Sequence, residues 1–409
     1  MTSSSIDNPL KLTVFAFDVP FPAHRGGRAD IWRRLVALKA LGSKLQLVCW
    51  QNSDSIPPST EDLSVICSIV EDLHIFPLHQ GGLEPLKRIA MLPLWPSHVL
   101  ARRLTSTQMP ALMKAVRAFD PDAIWIEGPY PGLAGERVAY AVGVPYFYRS
   151  HNIEHLYMAR QAKAARALSK RISWSLACIG LKGYETRLMR NARHVYDIST
   201  DDMLFWRTLG IERISCLPPL PERAISGNPF SDSTSPLRDI VFLGNLSTPN
   251  NVRGVEFLLT EVAPILLMIR PETRITIVGS HPTDHIRQIV AKSRCADLLE
   301  NVPDAGSVLD SARVLVNPVR TGSGVMVKIL DMLMTDAPIV STKQGASGLP
   351  DIVKDQLIIV DDASSFAREI VQALSNPNMH PVDRTAARAT FSIDRIEALR
   401  DEIRAMIAS

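Results

Sequence analysis

Four glycine-bearing stretches hold the residues whose types and spacing could do chemistry. In DVPFPAHRGGRADIWRRL (18–35), Gly26 and Gly27 stand between a strand pattern and a helix pattern. In FLGNLSTPNNVRGVEFL (242–258), Gly244 and Asn245 end a strand, and Arg253 and Gly254 stand at the mouth of the next helix. In VRTGSGVMVKILDML (319–333), the turn Gly322, Ser323, Gly324 opens a helix that carries Lys328 and Asp331 in its first turns. In STKQGASGLPD (341–351), Gly345 and Gly348 follow a strand. Glycine lets the backbone approach an anion closely, and a helix N-terminus offers free N–H groups and a positive dipole end. Such turns suit a diphosphate. Lys328 would add positive charge, and Asp331 could accept hydrogen bonds from ribose hydroxyls. Each turn alone is equally well a structural feature. Three of them at strand carboxyl ends in one half of the chain form a pattern.

Other arrangements read as decoys. HNIEH (151–155) has the spacing of a zinc-binding H-x-x-E-H motif. His151 follows a strand directly, however, so the helix starts too late to align both histidines. Asp120-Pro121-Asp122 matches an Asp-x-Asp metal signature but precedes its strand, at the wrong end of the sheet. His281 and His285 read as loop and helix-cap residues. No GxSxG elbow or Cys/His motif occurs. No metal site is expected.

These residues must be positioned by alternating elements. Strands are expected at 12–17, 45–50, 73–77, 123–127, 145–149, 194–198 and 214–217, with helices between them, beginning with one over 27–41. After residues 218–238, rich in Pro, Ser and Gly and without periodicity, a second series begins. It has strands at 240–243, 274–278, 314–318, 338–341 and 357–360 and helices over 251–269, 284–292 and 325–334. The alternation predicts two α/β domains with parallel, doubly wound sheets. In such sheets ligands bind outside the carboxyl ends of the strands. The expected division is 1–217, a linker over 218–238, 239–380, and terminal helices over 381–409.

The chain has 409 residues, which suits two domains of roughly 200 residues each. A formal charge of +3 gives no support to nucleic-acid binding. The five scattered cysteines form no CxxC pair and indicate a reducing compartment. The N-terminus lacks a signal pattern, and no apolar run reaches the roughly 18 residues of a membrane span. A cytoplasmic protein is expected, extending at most to the inner face of the cell membrane. Residues 155–193 carry nine Lys and Arg against the single Glu185, with Trp174, Leu176, Ile179 and Leu181 interleaved. Segment 86–103 is likewise basic and apolar. Both read as solvated helix faces or as contacts with anionic lipid.

The order FLGNLSTPNN, RITIVGSHP, VLVNPVRTGSGVMVKILD, APIVSTKQGASGL resembles family 4 of the retaining glycosyltransferases, of the group 1 type. The N-terminal VPFPAHRGGRADIWRRL resembles that family's donor-phosphate loop. The resemblance implies the GT-B fold, two Rossmann-like domains facing a cleft, with terminal helices returning to the N-terminal, acceptor-side domain. It makes Gly26 and Gly27 the glycine loop beside the donor phosphate, His151 the histidine that approaches the donor sugar, and Arg253 a diphosphate contact. Asp331 takes the second position of the family's Glu-x7-Glu signature, the ribose-binding one. Two departures stand out: Ser323 occupies the first Glu position, and Asn245 replaces the usual Arg after Gly244. The implied function is metal-independent, retaining transfer of a hexosyl or deoxyhexosyl group from a nucleotide sugar, without a cofactor. The acceptor would be a saccharide, including a lipid-linked one, in bacterial polysaccharide or glycoconjugate assembly. A nucleotide-sugar epimerase of the same shape and a degenerate nucleotide-sugar-binding protein are the alternatives.

Overall fold

The computed structural model of the protein describes residues 8–23, 26–52, 56–78, 83–165, 167–221, 237–322, 324–376 and 383–409. Most of the expected linker, Ser323 and Arg166 therefore lie outside the described residues. The chain divides into two compact units, Met1–Leu217 with Ile393–Ser409, and Pro218–Ser392.

The N-terminal unit is built on β1 (Lys11–Phe15), β2 (Lys44–Asn52), β3 (Asp72–Leu78), β4 (Ala123–Glu127), β5 (Tyr146–Ser150), β6 (His194–Asp197) and β7 (Ile214–Cys216). They form one parallel sheet in the order β3-β2-β1-β4-β5-β6-β7. Every residue of β4 and β5 is buried, as central strands covered on both faces require. Within this core, Trp125 stacks on Phe147 and Tyr196, with ring centroids 6.5 and 5.5 Å away.

The C-terminal unit repeats the plan with β8 (Arg238–Leu243), β9 (Ile275–Gly279), β10 (Ala296–Glu300), β11 (Ala312–Asn317), β12 (Ile339–Ser341) and β13 (Ile358–Ile359). Their order is β10-β9-β8-β11-β12-β13, again all parallel. Each sheet reverses its winding beside its first strand, between β1 and β4 and between β8 and β11. In open α/β sheets that reversal is where ligands bind. The loops it selects are those after β1 and β4 in one unit and after β8 and β11 in the other.

Four details depart from the expected elements. Helix 251–269 is broken into Pro249–Phe257, a π-helical turn Leu258–Val262, and Ala263–Ile269. Pro264 has no N–H for the regular ladder, and the wider turn absorbs the missing bond. The helix expected from 325 spans Val327–Leu333, because Met326 is extended, with φ −79° and ψ 92°. Strand β10 was not expected: it lies at the edge of the sheet, pairing with β9, and its short, partly exposed ADLLE sequence carries neither an apolar run nor a clean alternation. The terminal segment divides later than residue 381. Helix Thr385–Ala389 stays with the C-terminal unit, where Arg384 Nη2 donates to Ala337 O at 2.9 Å and Arg388 Nε to Leu333 O at 2.8 Å. Helix Ile393–Ala408 belongs to the N-terminal unit and packs on helix Gly26–Ala40. Ile396, Leu399 and Ile403 are buried there, and Arg400 and Arg404 donate to the Leu41 and Asn8 carbonyls.

Candidate functional site

In the C-terminal unit the site is organised by the loop after β8. The β8 strand ends at Leu243, and Gly244 N–H bonds Val278 O at 3.0 Å. The loop then closes on helix Pro249–Phe257 through Asn251, which is buried. Asn251 Nδ2 donates to Asn245 O at 2.9 Å, and its Oδ1 accepts from Lys328 Nζ at 2.8 Å. The Lys328 ammonium lies 4.3 Å from the Phe242 ring centroid. Among the described residues it has no ion pair, and burial pushes its pKa down to about 7. A lysine held this way has a neutral hydrogen-bond partner and an aromatic face but no counter-ion. Asp331 is half-buried one helical turn further along helix Val327–Leu333.

The loop after β11 approaches the same helix. Arg253 is exposed, and its Nη1 donates to Thr321 Oγ1 at 3.4 Å. Gly322 and Gly324 have φ of 144° and 74°, so a side chain at either would be strained. The structure thus brings Gly244, Asn245 and Lys328 together through Asn251, and sets Arg253 beside Thr321 and Gly322. With only seven residues, helix Val327–Leu333 is too short for its N-terminus to be counted as an anion site in its own right.

The N-terminal unit presents a different arrangement at the matching edge. Gly26 and Gly27 open helix Gly26–Ala40, and a Cβ at Gly27 would come within 3.2 Å of the Phe17 ring. Phe17 in turn meets His151 edge-on, with ring centroids 5.9 Å apart. His151 lies just beyond β5. Its Nε2 is 2.6 Å from Glu127 Oε2, and its Nδ1 is 3.5 Å from Asp30 Oδ2.

Those carboxylates belong to a buried charge network. Arg149 reaches Asp30 through Nη2 at 3.0 Å and Leu217 O through Nη1 at 2.6 Å. Arg34 pairs with Asp30 at 2.8 Å, one turn away on the same helix, and faces Glu127 at 3.8 Å. Trp125 Nε1 donates to Glu127 Oε1 at 2.7 Å. Burial alone would raise the Asp30 carboxyl, but Arg149, Arg34 and His151 together hold it well below the usual carboxylate range. Glu127 is held low in the same way, burial being outweighed by Arg34, the His151 contact and Arg149. Asp30, Arg34, Glu127 and Arg149 were not singled out in the sequence. The available signal, for Glu127 and Arg149, was a charged residue at or beside the end of the otherwise apolar runs AIWIE and YFYRS.

The decoy motifs have other occupations. His155 Nδ1 lies 2.7 Å from Glu185 Oε2, and Glu154 Oε2 accepts from Tyr130 at 2.7 Å. Asp122 Oδ2 accepts from Lys11 N at 2.7 Å where β1 begins. Among the described residues, no three His, Cys, Asp or Glu side chains are grouped to hold a metal.

Comparison with known proteins agrees with this division. Residues 238–376, most of the C-terminal unit, match the model of a family described as glycosyl transferases group 1. An uncharacterised 44.6 kDa protein in the cps region of Klebsiella pneumoniae is 24% identical over 376 residues, covering 90% of this chain and 91% of that one. A glycosyltransferase from Rickettsia africae superposes with a TM-score of 0.63 at 12% identity, over 98% of this chain and 99% of the other. Anabaena Alr3699/HepE, solved in complex with UDP, gives 0.63 at 12% identity, over 97% and 99%. These structural likenesses show the fold, which is GT-B.

Proposed function

Since residues 238–376 match the group 1 glycosyl transferases and the chain has the GT-B fold, we propose that it transfers a sugar from a nucleotide-sugar donor to a saccharide acceptor. The observation that carries this reading is Lys328: a partly buried ammonium with no counter-ion among the described residues, fixed by Asn251 beside Gly244 and Asn245, at the carboxyl edge of the matched unit's sheet. The donor's diphosphate is the missing anion. Asp331, in the ribose-binding position by family resemblance, would hold the nucleoside. The Anabaena protein has been solved with UDP and with UDP-glucose, which supports a donor of that chemical class. The gene-region description of the Klebsiella relative is consistent with polysaccharide assembly.

Transfer proceeds with retention in this reading. The bond from the anomeric carbon to the diphosphate oxygen breaks, and the acceptor oxygen bonds the same face of that carbon. The acceptor proton passes to the leaving phosphate. Growing charge on the leaving group must be met by fixed dipoles and cations, here backbone N–H groups, Lys328 and Arg253. His151 would meet the donor sugar only by exchanging its Glu127 or Asp30 contact for a sugar hydroxyl. No cofactor or metal enters this chemistry, so activity should persist in excess chelator; loss on chelation with recovery in magnesium would overturn that part.

The carboxylates around His151 are the feature an epimerase would need. Both are buried and held ionised by Arg149 and Arg34, which opposes proton shuttling. One experiment separates the readings: incubate the protein with a panel of nucleotide sugars, with and without saccharide and lipid-linked acceptors, and measure nucleotide release and product mass. Transfer needs acceptor-dependent nucleotide release. Donor converted without acceptor would instead indicate the epimerase, and donor bound but never consumed would leave a binding protein.

A further inference from the structure

A second polar cluster lies on the same edge of the N-terminal sheet, outside the His151 network. Arg102 closes helix Ser97–Ala101. Its Nε donates to Phe17 O at 2.9 Å, just past β1, and its guanidinium carbon lies 5.0 Å from the Tyr130 ring centroid. Tyr130 follows β4, and its hydroxyl donates to Glu154, which opens the helix after β5. Arg102 is thus set where three strands end. Among the described residues it has no ion pair, and its terminal nitrogens have no hydrogen-bond partner.

Asp18 and Glu154 face Arg102 and favour its charge, but neither forms an ion pair with it among the described residues. Asp18 is committed to Arg28, which reaches it through Nε at 2.8 Å and Nη2 at 2.6 Å. Burial pushes the Glu154 carboxyl up to about 7, against the Tyr130 hydrogen bond and with Glu185 adding to the rise. His98, 5.4 Å from the Tyr130 ring, is pushed down to about 4 by burial, with Arg102 and Arg88 adding to it. Arg28, Arg88 and Arg102 therefore outweigh one committed carboxylate and one that is only partly ionised near neutrality. Arg102 is half-buried; burial lowers its pKa against the opposing pull of Tyr130, Asp18 and Glu154, so a bound anion would favour its charged form. A guanidinium stacked on an aromatic face presents its free N–H edge in the planar fork that suits an oxyanion.

We propose that Arg102 is the anion-binding residue of an acceptor subsite, taking a phosphate or carboxylate group of the acceptor molecule; this rests on the glycosyl-transfer reading above. The segment leading to Arg102 exposes Leu83, Leu86, Ile89 and Leu94, a surface that suits an acceptor phosphate carried on an apolar chain. A uronic-acid saccharide offers the same anionic chemistry without the chain.

The test is calorimetric titration of inorganic pyrophosphate into the wild-type protein, Arg102→Gln, Arg102→Lys and Lys328→Ala. The wild type should show two binding events. Arg102→Gln should weaken one at least tenfold and keep the other, which also reports that the variant is folded. Arg102→Lys, keeping charge without the stack, should fall between, and Lys328→Ala should lose the complementary event. In the Lys328→Ala background, displacement of pyrophosphate by geranyl diphosphate would assign a lipid-linked phosphate, and displacement by methyl glucuronide an acidic sugar. Equal displacement by geraniol and methyl glucoside would overturn the anion subsite. An Arg102→Gln titration identical to wild type would also overturn it, leaving the donor reading intact if Lys328→Ala is altered; no change in either variant would remove both.

Discussion

At the scale of the residue, Lys328 separates function from structure by magnitude. An exposed ion pair with Asp331 at i, i+3 would contribute only about 0.2–0.5 kcal/mol. The ammonium instead bonds Asn251 at 2.8 Å and lies against Phe242. Charge-assisted bonds from such a cation to a diphosphate are worth about 1.5–3 kcal/mol. Lys328→Ala should therefore lower kcat/KM at least about tenfold while melting changes little. The pH dependence follows from the depressed pKa. Free Lys328 titrates near 7, and a bound diphosphate would raise that value, so donor binding takes up a proton above pH 7. Donor affinity should fall as pH rises from 7 to 9, by at most about tenfold per unit for one proton. In the unliganded protein the sign is opposite: the unfolded chain binds this proton more tightly, so Lys328 lets stability rise with pH above 7. Turnover that survives Lys328→Ala while only stability falls would make it a structural residue.

At the scale of the element, two close contacts decide whether the site exists. Gly279 ends β9, where a Cβ would stand 1.9 Å from Gly244 O, the carbonyl that begins the β8 loop. That atom is backbone and has no rotamer by which to move away. Gly279→Ala should push Gly244 and Asn245 out of place, costing about 1–3 kcal/mol as overpacking does. Donor affinity should drop together with melting temperature; a variant with wild-type melting and binding would show that the loop yields freely. The second contact is the terminal helix. Ile396, Leu399 and Ile403 bury one face of helix Ile393–Ala408 in the N-terminal unit. Each buried side chain contributes about 1.5–3 kcal/mol, so ending the chain after Phe391 should lower melting sharply. Unchanged melting of the truncated protein would contradict this packing.

At the scale of the whole molecule, charge is distributed unevenly although its net value is small. Of residues 155–193, the one acid, Glu185, is fully buried against His155, while Arg160, Lys163, Lys170, Arg171 and Lys182 are exposed. Leu168, Ile172 and Ile179 are exposed among them. No helix among the described residues is long and apolar enough to cross a membrane. This surface suits reversible contact with anionic lipid, at about 1 kcal/mol per basic residue near the headgroups. Flotation with anionic liposomes should recover the protein at low salt and release it at high salt. Protein that stays behind at low salt would leave these helices as a solvated face.

The chain's own pattern determined its class and the addresses of its loops. Alternating apolar runs and helical periods specify parallel sheets, because a doubly covered strand must be apolar throughout and its crossover amphipathic. Glycine at 27, 244, 322 and 324 marked turns that side chains would obstruct or strain. Local sequence could not tell how far each element extends, since that depends on what surrounds it: edge strand β10 pairs on one side only, and helix Thr385–Ala389 is tied down by carbonyls far away in sequence. Nor could it reveal the partners of the charged groups. Asp30 and Arg149 stand 119 residues apart, and Lys328 and Asn251 stand 77 apart. Each pair meets because parallel strands deliver distant loops to one edge of a sheet. Side-chain burial there sets which charges are matched and which, like Lys328 and Arg102, have no ion pair among the described residues, and only the tertiary structure decides that.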